Sequence, residues 1–224
     1  LVLEHTISYF GNNFKKPVAE CKMMLGDILL AQGQSIEAIF KYMEVERTFS
    51  GTPLGDEAKY MKAKVAYYTY DFPWALSQFE VLKSSTTKLI SNDALQMALL
   101  IFDNSVEDTL FQGLTYYAKA DLYQFRNMLD SSLLTLNTLL AVFPEHAITA
   151  EAMLLKANVL YQQGKYPEAI VVLENMISTN QGDIWTDDAL MLRGSIYANK
   201  TGEKEHMQDK RQNRKRKRAE KGKT

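Results

Sequence analysis

Histidine, the single cysteine and a group of aspartates are the side chains that could carry chemistry, and their spacing decides what each can do. His5, His146 and His206 lie far apart, and none has a second ligand at the i+4 spacing that sets two side chains on one helical face. A His-Glu-x-x-His metal centre is therefore missing. The phosphate-binding patterns Gly-x-Gly-x-x-Gly and Gly-x4-Gly-Lys-Ser/Thr are absent as well. Cys21 stands beside Lys22, whose charge would lower a thiol pKa, but no base or orienting group accompanies it. A buried structural cysteine is expected. One cysteine also excludes an internal disulfide and a multi-cysteine metal site. Asp183, Asp187 and Asp188 look like a cation site, yet they lack the alternation and the glycine of a calcium loop. Asp187 and Asp188 suit the start of a following helix, whose dipole favours carboxylates. Glu44 and Glu46 read as a solvated face. No catalytic residue, metal ligand or cofactor is assigned, and a non-enzymatic protein is expected.

Charge is distributed unevenly. The formal net charge of −1 is an average over an acidic body and a basic end. Residues 210–224 carry nine Lys/Arg against Glu220, a net of +8, which leaves −9 on residues 1–209. The run Arg214-Lys215-Arg216-Lys217-Arg218 could bind nucleic acid or an anionic membrane by charge alone. It has no interleaved aromatics to stack bases. A solvated end without a role and docking on the acidic body remain alternatives. The longest apolar runs, such as Met97–Phe102, fall far short of a membrane span. The chain starts at Leu1 without a signal peptide, in sequence that is already helical, and reads as a piece of a longer protein.

The elements that must position these residues are helices. Only 11 glycines and 5 prolines punctuate 224 residues, too few for the closely spaced turns of an all-β sandwich, and 46% hydrophobic residues suffice for a core. Small residues recur in pairs 12 positions apart: Gly26 with Ala38, Ala63 with Ala75, Ala120 with Ser132, Ala157 with Ala169. The pairs repeat at 37, 57 and 37 residues, and Gly194 stands 37 beyond Ala157. The long step holds an insert at about 84–104. Two antiparallel helices approach closely only where facing side chains are small, so each pair marks a helix–turn–helix unit. Leu25, Leu29, Tyr42, Tyr60, Phe79, Leu82, Leu136, Leu139, Leu160 and Leu173 complete the seams. Gln32-Gly33-Gln34 and Gln163-Gly164-Lys165 supply turns, and Pro144 ends a second helix.

These features resemble the tetratricopeptide repeat (TPR). Leu25-Gly26 matches its Leu-Gly pair, Phe72 and Tyr166 its aromatic near the turn, and Pro144 its terminal proline. The repeat's early tryptophan is absent and the units run long. The resemblance implies an all-α, right-handed α-α superhelix of antiparallel helix pairs, about five repeats with the last incomplete. Residues 1–203 would form the repeat domain and 204–224 a basic, disordered tail. Near Lys204 the pattern departs: a second helix of the last repeat would put a small residue where His206 stands. The strings Gly11-Asn12-Asn13-Phe14-x2-Pro17, Leu25-Gly26-Asp27-Ile28-Leu29 and Asn92-Asp93-Ala94 are similar to large, often exported repeat proteins of Bacteroidota bacteria. That likeness implies a periplasmic or envelope-associated place.

Registered on the repeat, the first helices turn Met23, Asp27 and Leu30 inward, then Met61, Lys64, Tyr67 and Tyr68. Tyr117, Asp121, Gln124 and Phe125 follow, then Leu154, Asn158, Tyr161 and Gln162. Such a concave face would bind a protein or peptide partner, because tyrosine offers large area with a polar tip. Individual tyrosines could equally pack between repeats. The Lys and Asn of a clamp for a chaperone's C-terminal carboxylate are missing, since Met23, Asp27, Met61 and Lys64 hold the matching places.

Overall fold

The structure is a computed structural model that describes residues 2–10, 15–85, 87–106, 108, 110–179 and 185–198. Within these residues every regular element is helical. The order is α1 (Val2–Phe10), α2 (Lys15–Ala31), α3 (Ser35–Thr48), α4 (Pro53–Tyr68), α5 (Phe72–Leu82) and α6 (Lys88–Asp103). Next come α7 (Gln112–Phe125), α8 (Leu129–Val142), α9 (Thr149–Gln162) and α10 (Tyr166–Thr179). A last helix, α11, runs over 185–198. None of the described helices is long and apolar enough to cross a membrane. The expected departure at Lys204, His206, Asp183 and the basic segment 204–224 lie outside the described residues.

Two compact units divide the chain, Leu1–Ile148 and Thr149–Thr224. In the first, α2 packs on α3, α4 on α5 and α7 on α8, while α6 lies against α5. In the second, α9 packs on α10. Small residues explain how closely the pairs approach. A Cβ built on Gly26 would stand 2.6 Å from the Tyr42 ring, so only glycine lets α2 and α3 meet there. Ala38, Ala63, Ala75, Ala120, Ala157 and Ala169 are all fully buried. Ser132 holds the same place in α8, and its hydroxyl donates to the Ala120 carbonyl at 2.8 Å, so this buried polar group is satisfied.

The turns inside the pairs repeat one device. Gly33, Tyr70, Asn127 and Gly164 all take positive φ, between 56° and 86°. In the first turn the Gly33 N–H reaches the Leu30 carbonyl and the Gln34 N–H the Leu29 carbonyl. Tyr70 and Asp71, Asn127 and Met128, and Gly164 and Lys165 repeat this pair of bonds in the other three. This is the Schellman helix end, which satisfies carbonyls left over by the last turn. The left-handed residues stand at the same 37, 57 and 37 spacing as the small pairs. Elsewhere α8 stops at Val142, two residues before Pro144. Within each unit the described residues thus form all-α antiparallel helix pairs, and the pairs recur along the sequence at this period.

Two places interrupt the regularity. Inside the long step, α6 starts where the Thr87 hydroxyl accepts from the Ile90 N–H, and it leaves Leu95, Leu99 and Phe102 between 41% and 55% exposed. On α11, a Cβ added to Gly194 meets nothing within 4 Å among the described residues, whereas at Gly26 the same register is filled by a partner helix.

Candidate partner-binding face

Asp27, Lys64 and Asp121 occupy the same register on α2, α4 and α7, all in the first unit. Lys64 Nζ stands 3.5 Å from Asp121 Oδ2, although the two residues are 57 apart in the chain, and each side chain is about one-fifth exposed. The Lys64 ammonium also lies 5.0 Å from the centre of the Tyr68 ring, a cation–π contact. Asp27 instead accepts a hydrogen bond from the Tyr42 hydroxyl at 2.7 Å. Burial pushes the Asp27 carboxyl above its usual range, and the bond from Tyr42 offsets part of that rise. The Tyr42 hydroxyl is pushed far up by burial and by the adjacent Asp27.

The expected inward residues divide into core and surface. Tyr67 is fully buried, its ring edge-on to Phe72 at 5.8 Å and tilted on Tyr68 at 5.3 Å. Its hydroxyl has no hydrogen-bond partner among the described residues. Tyr68 is 3% exposed and packs on Phe125 at 6.1 Å. Both hydroxyls are pushed well above 10, first by burial and then by the nearby Asp121. Met23 and Leu30 are buried too. Met23, Leu30, Tyr67 and Tyr68 thus lie in the core, Tyr68 beneath the Lys64 ammonium. At the turn end of these helices Arg126, just after α7, donates from Nε to the Leu30 carbonyl at 3.3 Å. Met61, Lys64, Tyr117, Asp121, Gln124 and Phe125 stay partly exposed. In the second unit Leu154 and Tyr161 are partly exposed, Asn158 and Gln162 are exposed, and Tyr161 is tilted on Tyr166 at 5.8 Å.

The residues singled out for chemistry have other duties. Lys22 does not serve Cys21: its ammonium is 2.8 Å from the Glu44 carboxylate. Glu46 likewise pairs with Lys62 at 2.5 Å. These two glutamates form part of an ion-paired face. Burial alone would raise the Glu44 carboxyl, but Lys22 and Lys41 outweigh it and hold the group below its usual range. His5 stacks on Tyr9. His146 has a partner that spacing did not reveal: Nε2 is 3.4 Å from Asp108 Oδ2, and Nδ1 accepts from the Ile148 N–H at 3.1 Å. Asp108 Oδ2 also accepts from the Gly113 N–H at 2.9 Å, and a Cβ on Gly113 would run into the His146 ring at 2.9 Å. The glycine at the start of α7 is therefore the signal that could have located this staple, which holds the segment after α8 against α7. Among the described residues no group of three or more His, Cys, Asp or Glu is placed to hold a metal ion.

Comparison with known proteins adds the following. No family model matches the chain, and no curated protein does. A solved TPR protein from Thermus thermophilus is similar at 16% identity and a TM-score of 0.35, over 80% of this chain and 99% of that one. A tetratricopeptide repeat protein from Parabacteroides merdae is similar at 16% identity and a TM-score of 0.31, over 85% of this chain and 89% of that one. The all-α helix-pair fold described above rests on the helix pairs, the repeated turn and the small-residue register of this chain itself.

Proposed function

We propose that the chain is a non-enzymatic scaffold that holds a protein or peptide partner along the inner face of its first helices. The observation that carries this reading is the convergence of Lys64 from α4 with Asp121 from α7, on a floor made by Tyr68 and Phe125. Met61, Tyr117 and Gln124, also partly exposed on α4 and α7, extend that surface, and Asp27 continues it on α2. The packed tyrosine floor fixes the side chains above it before binding, which lowers the ordering cost of association. Aromatic residues with a few placed charges are the composition of a binding core.

Site-specific photocrosslinking tests the reading. A photoreactive residue at Gln124 is compared with one at Leu134, which is 70% exposed on α8. A bacterial extract that includes the envelope fraction supplies the partner. The expected result is a discrete adduct from position 124 that weakens in a Met61→Ala/Tyr117→Ala background, with none from position 134. Equal adducts from both positions, or none from 124, would overturn it.

A further inference from the structure

Around the start of α4, beside the first turns of α2 and α6, the fold is open. Two clefts lie there, of about 450 and 430 Å³, on either side of the first turns of α4. Both are lined by Pro53 and Glu57. Phe49 and Leu54 give the first its apolar lining, while Tyr60, Met61, Leu89 and Ile90 line the second. Leu89 is 70% exposed on the rim. Glu57 stands between these apolar walls. Among the described residues no Lys or Arg lies within ion-pair distance of it, in contrast to Glu44 and Glu46 with their lysines. Glu20 borders the first cleft and Asp93 the second. The cation facing the first cleft is Lys16, 3.9 Å from Glu20. Glu57 is exposed at the mouth of the two clefts, and partial burial and the repulsion of Asp27 and Glu20 raise its carboxyl.

We propose that this double cleft binds a partner segment carrying a lysine or arginine between two apolar side chains, the cation on Glu57 and one apolar group in each cleft. Charge complementarity selects the cation, because a like charge brought against Glu57, Glu20 and Asp93 is repelled. The two lined clefts select its apolar neighbours. This inference rests on the scaffold reading above and names the chemistry of the partner at one end of the same face.

Fluorescence anisotropy with the full chain and three labelled 12-residue peptides tests it. The central triplets are Leu-Lys-Leu, Leu-Glu-Leu and Ser-Lys-Ser in one Gly/Ser frame. The Leu-Lys-Leu peptide should bind, and each of the other two should bind at least about tenfold more weakly. Glu57→Lys should weaken the Leu-Lys-Leu peptide by about tenfold or more, while Glu37→Lys, the same charge change on α3, should alter it less than about twofold. Glu57→Gln should give an intermediate loss, and thermal melts of all three variants confirm folding. Equal binding of the three peptides, no binding of Leu-Lys-Leu, or equal effects of Glu57→Lys and Glu37→Lys would overturn the proposal. If the crosslink from position 124 persists under any of those results, the scaffold reading survives and only the double cleft falls.

Discussion

The two ends of the first helices in unit Leu1–Ile148 do opposite things with similar residues. At the turn end, Asp27 is bonded to Tyr42, Lys64 faces Asp121, and Tyr67 and Tyr68 are sealed beneath them. At the other end, Glu57 and Asp93 border open apolar clefts. A charge inside a packed end must find a partner in the fold, because leaving it unpaired away from water is costly. A charge at an open rim carries no such requirement and remains available to something that arrives. Burial, rather than residue type, separates the charges that are paired within the fold from those left at an open rim.

The largest expected effect comes from prying the closed end apart. Gly26→Val puts a branched side chain where even a Cβ would sit 2.6 Å from the Tyr42 ring. Moving Tyr42 would also break its bond to Asp27. A loss of about 3 kcal/mol is expected, the upper range for overpacking, read by chemical denaturation. The Gly26→Val/Tyr42→Ala double variant should recover part of it if the clash is local. A loss no larger than that of Gly26→Ala would mean the seam is looser than the structure places it.

The turns offer a smaller and signed test. Tyr70 has φ of 68° and Asn127 has φ of 56°, a conformation that glycine adopts without the Cβ penalty. Tyr70→Gly should be neutral to stabilising by up to about 1 kcal/mol, and Gly164→Ala should cost about 1 kcal/mol. Opposite signs at equivalent positions are the outcome to look for in paired thermal melts. Similar signs would contradict the shared Schellman geometry.

Tyr67 probes the closed end without disturbing its volume. Its buried hydroxyl has no partner among the described residues, so Tyr67→Phe should stabilise by about 1 kcal/mol. The pH dependence follows from the raised tyrosine hydroxyls. An unfolded tyrosine loses its proton near pH 10 while the folded one keeps it, so stability is intact below that value and declines as pH rises beyond it. Melting temperature should fall above pH 10, and less steeply in Tyr67→Phe. An unchanged slope would mean that Tyr42 and Tyr68 carry the whole effect.

Particular residues show what could be read from the sequence. Small pairs announce themselves because close helix contact admits nothing else, so Gly26, Ala63, Ala120 and Ala157 locate the seams, and with them the period. Gly33 and Gly164 mark their turns for a different reason, the left-handed backbone that glycine adopts freely. Tyr70 and Asn127 take the same conformation without a glycine, so only the period points to them. The burial of Met23 and Tyr67 is hidden, because repeat register tells which way a side chain points and not what stands opposite. Here Arg126 reaches the Leu30 carbonyl, a contact spanning 96 residues that no local pattern encodes. The pairing of His146 with Asp108 is invisible on similar grounds, since it depends on where the segment after α8 folds back.

The smallest effect compares a carboxylate of the open end with one that already has its cations. Glu57 is raised by burial and by its acidic neighbours, so its ionised form weighs against the fold, and that term disappears as the group takes up a proton. Glu44 is held low by Lys22 and Lys41, so its stabilisation is present above the unfolded carboxylate range and is lost as pH falls through the lower folded value. Glu57→Gln should therefore raise the melting temperature at pH 7 and Glu44→Gln should lower it. Both groups are solvent-accessible, so screening limits each effect to about 0.5 kcal/mol or less. The two differences should converge toward zero as pH falls through the carboxylate range, Glu57 first and Glu44 later, or as salt rises to about 0.5 M. If Glu57→Gln instead destabilises at pH 7, Glu57 already has a partner within the fold, and the unmet charge that would recruit a cationic segment does not exist.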